Sequence, residues 1–159
     1  MSSDILLVGR TVALSSWNNV LIEVFRELPD VAAIRGMRPH LDRIYARNKV
    51  GVAAMVIIEP SAIGAFSPEL RAEAEAQTRN YPSIGTANVI EVTGFKGAAM
   101  RTMIAGMHLI ARTKSERRVF EAVTPAADWI AFDVLGRGAA EAAALRAFAE
   151  HTRAAMDVA

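Results

Sequence analysis

Cysteine is absent from the 159 residues. That excludes a disulfide scaffold, a thiolate metal site and a cysteine nucleophile. An excess of positive charge is also missing: 18 Lys and Arg stand against 17 Asp and Glu, a formal net charge of +1. A protein held mainly by nucleic-acid phosphates is far more basic, so no nucleic-acid partner is expected. Long hydrophobic runs are lacking too. The longest lies at Val52–Ile58, whereas a membrane-spanning helix needs about 20 apolar residues. At the N-terminus, Asp4 stands where a signal peptide would carry positive charge. The expectation is a cytoplasmic protein without membrane insertion.

Catalytic signatures are missing as well. There is no G-x-S-x-G elbow, no Walker loop and no G-x-G-x-x-G after a strand. His40, His108 and His151 show no paired ligand spacing, so no metal is expected, and no cofactor either. The chain is not expected to be an enzyme. What is present is core-forming material. Hydrophobic residues make up 52% and charged residues 22%, which excludes disorder for most of the chain. The length suits one domain.

Branched residues at 5–14 and 17–25 predict two strands, joined near Ser15 and Ser16 as an antiparallel hairpin. Val20, Ile22 and Val24 share one face by period two. Asp30 is placed to cap a helical turn at 31–35. Gly36 and Pro39 are expected to interrupt it, with a new helix from Pro39 to about Asn48. Val52–Ile58 is apolar on both faces, as a covered central strand requires. Ser67-Pro68-Glu69 reads as a helix start: hydroxyl cap, proline at the first position, acid in the first turn. A strand over 84–92, a helix over 95–112, a strand over 118–122 and a helix from Thr124-Pro125 to about Phe132 follow. An alanine-rich helix at 139–156 closes the chain after a Gly136/Gly138 hinge. This alternation predicts an α/β fold: a mixed sheet with an antiparallel N-terminal hairpin, then parallel βα units packed with helices.

Two stretches carry a family resemblance. GFKGAAMRTMIAGMHLIAR (94–112) turns at Gly-Phe into a long small-residue helix. Phe120, Val123, Ala126, Trp129 and Ile130 form an F-x-x-V-x-x-A-x-x-W-I pattern that places its helical members on one face. With the element order, these resemble STAS domains, the sulfate-transporter and anti-sigma-factor-antagonist fold of the SpoIIAA-like superfamily, over roughly residues 5–133. The resemblance implies a STAS-like domain at 1–135; the alanine-rich helix at 136–159 lies outside the family pattern and is expected to dock on that domain or on a partner subunit. It implies a non-catalytic adaptor whose serine, in a motif like D-x-S-x-L-G, is phosphorylated by a partner kinase. Ser61 and Gly64 match that motif, Glu59 replaces its aspartate and Pro60 departs from it. Ser67, at the helix start, is the second candidate acceptor. Glu59, Pro60, Ser61, Ile63 and Gly64 form the implied partner-binding loop, the partner being a kinase or anti-sigma-like regulator.

Arg101, His108 and Arg112 fall at helical spacing, and Lys114, Arg117 and Arg118 follow. Together they read as a basic patch for an acidic or phosphate-bearing partner, or as a solvated face. GFKG at 94–97 joins a strand to a helix, unlike the clamp of KH domains; Gly94 is expected to serve the tight turn. Two other functions fit the same residues. One is a homo-oligomeric assembly module, a homodimer for example, built through the final helix or an exposed strand edge. The other is a carrier of a small apolar ligand beneath the 95–112 helix.

Overall fold

The structure, a computed structural model, describes residues 3–110 and 115–159, excepting the side chains of 103–110. Six strands form one sheet in sequential order: β1 (Ser3–Val8), β2 (Val12–Trp17), β3 (Val20–Phe25), β4 (Ala53–Ile58), β5 (Gly85–Ile90) and β6 (Glu116–Phe120). The first three pair antiparallel and the remaining pairs are parallel. Helices α1 (Val31–Arg47), α2 (Pro68–Asn80) and α3 (Gly94–Ile110) link the parallel strands, and α4 (Val123–Trp129) and α5 (Ala139–Met156) follow β6. This is the α/β mixed sheet expected from the sequence.

The N-terminal region corrects the expected boundaries. The segment 5–14 is not one strand but a hairpin, turning where the Gly9 N–H meets the Val12 carbonyl at 2.9 Å. Ser15 and Ser16 lie within β2 and are buried, not in a link. The second turn is Asn18-Asn19, flanked by the Trp17–Val20 pair. Asn18 takes φ 52°, a left-handed conformation that asparagine tolerates and two-residue hairpins demand. The turn signal, Gly9-Arg10-Thr11, stands between two branched stretches that read as one strand.

Helix α1 is a second correction, because it runs through Gly36 and Pro39 without a break. Asp30 caps it, accepting from the Ala33 N–H at 2.7 Å. Ile34, Met37, Leu41 and Ile44 recur at helical spacing and are all buried against the sheet. Burial of that row outweighs the hydrogen bond Pro39 cannot make. The exposed Gly36 has open space where a Cβ would sit. Gly36→Ala is therefore expected to raise stability by about 0.5–1 kcal/mol. Urea denaturation checks this; a loss of stability would mean that the helix breaks there.

The sheet is covered on both faces. One core joins Leu14, Leu21 and Phe25 to α1 and to Leu70 of α2. The other joins Val20, Ile22 and Val24, which share a face as expected, to α4 and α5. There Val123, Ala126, Trp129 and Ile130 are all buried. A π turn at Ile130–Val134 then redirects the chain into α5, with the Leu135 N–H on the Ile130 carbonyl. Leu145, Ala149 and Met156 of α5 lie in the same core. Among the described residues, no helix is long and apolar enough to cross a membrane.

Candidate functional site

The C-terminal ends of β3, β4 and β5 lie level, because Phe25, Ile58 and Ile90 are in register. In open α/β sheets ligands bind outside the carboxyl ends of the strands, at a point where the strand order reverses; here the order is sequential. The next residue of each strand is charged: Arg26, Glu59 and Glu91. From α5, Arg153 reaches across them. Its Nε donates to Glu59 Oε1 at 3.0 Å and its Nη2 to Glu91 Oε2 at 2.6 Å. Arg26 approaches Glu59 from the other side, Nε to Oε2 at 3.0 Å. Arg26 also donates to Asp157 Oδ1 at 2.7 Å and to the Arg153 carbonyl at 3.3 Å.

Glu59, 13% exposed at its side chain, thus gives one carboxylate oxygen to each of two guanidiniums. Charge-assisted bonds of this kind hold a geometry more firmly than neutral ones. Both arginines are held above their ordinary values. For Arg26 the main cause is the hydrogen bond to Asp157; for Arg153, burial opposes the shift and Glu91 overcomes it. Glu150, 3.4 Å from Arg153 Nη1, completes the set. Two guanidiniums therefore face four carboxylates, an edge with surplus negative charge.

The loop after β4 is anchored to this network. Pro60–Ala62 forms a single 3-10 turn, with the Ala62 N–H on the Glu59 carbonyl at 2.9 Å. Ala62 is buried beneath it, Pro60 and Ser61 are exposed, and Ile63 and Gly64 are half-buried. A Cβ on Gly64 would approach Leu28 Cδ2 to 3.1 Å, so a larger residue would push the loop away from Leu28. Ser61 is thus accessible at the strand edge, two residues from Glu59. Ser67 serves as the cap of α2: its Oγ accepts from the Leu70 N–H at 3.1 Å.

The basic residues do not gather on one surface. Arg101 donates to the Val92 carbonyl at 3.0 Å and pairs with Glu121 at 3.1 Å. Arg117 and Arg118 are neighbours on β6 and point to opposite faces. Arg118 pairs with Glu116 and lies 5.2 Å from the centre of the Trp129 ring. Arg117 is half-buried on the other face. Arg112, Lys114 and the side chain of His108 lie outside the described residues. Gly94 adopts φ 73°, the conformation that its turn into α3 requires.

Sequence reasoning missed Arg26, Glu91, Arg153 and Asp157. A charged residue immediately after each of three apolar strands was the readable signal for two of them. Arg153 gives no such signal, because its place depends on how α5 returns across the sheet. Among the described residues, no three His, Asp or Glu side chains are grouped to hold a metal ion. Comparison with family models, curated proteins and solved structures finds no match to the chain.

Proposed function

We propose that the chain is a STAS-like, non-catalytic regulatory adaptor of the cytoplasm. It binds a protein partner through the Glu59–Gly64 loop, and phosphorylation of Ser61 controls that binding. The observation that carries this reading is the exposed Ser61 in its own turn beside the twice-clamped Glu59. A phosphate there adds about −1.5 to −2 charges to an edge already rich in carboxylates. It competes with Glu59 for Arg26 and Arg153 and changes the surface offered to the partner. The partner is a kinase or anti-sigma-like regulator.

Ser67 is the second candidate acceptor; its hydroxyl is engaged as the cap of α2. A second reading, assembly with another copy of the chain, draws on the outer sides of β1 and β6, which are the two edges of the sheet.

Capture from native-host lysate with wild-type, Ser61→Glu and Ser61→Ala baits separates these readings. A specific partner gained or lost with Ser61→Glu alone is the expected result. Identical capture by all three baits overturns the switch. Recovery of the chain alone favours self-assembly.

A further inference from the structure

The sheet face opposite α4 and α5 changes character from one side to the other. Under α1 and α2 it presents Leu21, Phe25 and Ala54, an ordinary apolar floor. Towards β5 and β6 the same face presents Thr86, Asn88 and Arg117 alongside Ile90 and Val119. Glu23 joins them from β3: it registers with Val56, and Val56 with Asn88, so all three share this face. Right-handed crossovers bring α3 over the same side of β5 and β6.

These polar groups are buried and incompletely paired. Glu23 is 9% exposed and, among the described residues, has no hydrogen-bond or ion-pair partner. Burial pushes its carboxyl up to about 7. Asn88 is 7% exposed, and its Nδ2 is buried without an acceptor. Arg117 Nε is likewise buried without an acceptor, and burial draws its guanidinium below the ordinary value. Tyr45 of α1 lies within electrostatic reach of both Glu23 and Arg117, its hydroxyl donating to the Tyr81 carbonyl at 2.9 Å. Thr86 is satisfied by Ser83 at 2.6 Å.

Folded chains rarely leave such groups unpaired, since each costs about 1–3 kcal/mol. Two such donors on one sheet face, beside the buried Glu23 carboxyl, form a pattern. Asn88 and Arg117 stand on adjacent strands two positions apart, about 7–8 Å between Cα atoms. Both offer N–H donors. Glu23 stands two strands from Asn88, about 10 Å away, and offers a carboxyl to a donor.

We propose that this face is a binding site for a small carboxylate bearing an amino or hydroxyl group. Its carboxylate takes the donors of Asn88 and Arg117, and its amino or hydroxyl group donates to Glu23. The polar floor selects a polar occupant in place of the apolar one considered from the sequence. The site is independent of the Ser61 edge and of the adaptor reading.

The test uses the full wild-type chain with glycine, L-alanine, glycolate and L-lactate as probes, and formate and ethanol as controls that carry only one of the two groups. NMR follows the Asn88 side-chain amide and the Arg117 Nε–H. Saturable shifts of both resonances with at least one bifunctional probe, and tenfold weaker binding of the controls, are expected. Arg117→Gln should reduce the affinity at least tenfold, and Glu23→Gln should weaken the amino acids more than the hydroxy acids. Absence of saturable shifts in the folded wild-type chain, or shifts equal for formate and the bifunctional probes, overturns the site. The wild-type readout decides the matter even if a variant fails to fold.

Discussion

A chain ending at Leu135 is expected to lose its fold instead of changing its oligomeric state. Helix α5 lies on the sheet of its own chain. Leu145 and Met156, both buried, stabilise by about 2–3 kcal/mol each. Deletion also exposes the face of Ala13, Val20 and Ile22 that they cover. Polar ties go with them: Thr152 Oγ1 lies 2.7 Å from the buried Ser15 Oγ. Glu141 binds Trp17 Nε1, Asn18 and Arg137, holding the start of α5 to the β2–β3 turn. Removing Arg153 leaves the partly buried Glu59 and Glu91 without their shared cation, with only Arg26 left on Glu59. The total rivals the 5–15 kcal/mol that holds a domain together. Circular dichroism with a thermal melt checks this. A cooperative transition near the wild-type temperature would show that α5 is dispensable and would return it to the assembly reading.

The second large effect is a dependence on pH. Glu23 titrates near 7 when folded, against its ordinary value of 4.5. Between those values the folded chain keeps a proton that the unfolded chain has released. The stability contributed by Glu23 is therefore full below about pH 4.5 and is lost as pH rises through 7, by a total on the order of 3 kcal/mol. Among the described residues, the ionisable groups electrostatically linked to Glu23 are Tyr45, directly, and Arg117, through Tyr45. Neither changes protonation between pH 5 and 8. Tyr45 is raised above its ordinary 10, chiefly by burial and then by Glu23, and arginine stays charged.

Glu141 acts in the opposite sense. Burial would raise its value, but hydrogen bonds from Asn18, Arg137 and Trp17 and the charge of Arg137 lower it. Its contribution is lost only as pH falls below the ordinary carboxylate range, outside the window of measurement. Urea denaturation at pH 5 and pH 8 should show a less stable wild type at pH 8 and a flat Glu23→Gln variant. Equal slopes in the two proteins would mean that Glu23 is solvated in the folded chain.

Both effects arise from residues that looked ordinary in the chain. Glu23 sits in an otherwise apolar strand, where period-two alternation accounts for one polar residue on a solvent face. The sheet order places that face under α1 instead, and the polarity becomes a buried charge. Arg153 reads as one more cation on an alanine-rich helix until α5 crosses the ends of β3, β4 and β5. Ser67, by contrast, was fully legible, because a cap depends on three consecutive residues and nothing distant.

Local chemistry in the sequence was enough for the class of fold, the Asp30 and Ser67 caps, the doubly covered β4, the shared face of Val20, Ile22 and Val24, and the docking face of α4. Each rests on spacings within one element, where side-chain direction follows from period 2 or 3.6. Tertiary structure alone decided the rest. Packing of Ile34, Met37, Leu41 and Ile44 carried α1 through Gly36 and Pro39, because burying a whole row outweighs one missing hydrogen bond. Pairing split the segment 5–14 into two strands. The return of α5 joined Arg26, Glu59, Glu91 and Arg153, and sheet register joined Glu23, Asn88 and Arg117. Those groupings link residues from 29 to 127 positions apart, and no spacing along a chain encodes which distant side chains share a dielectric environment.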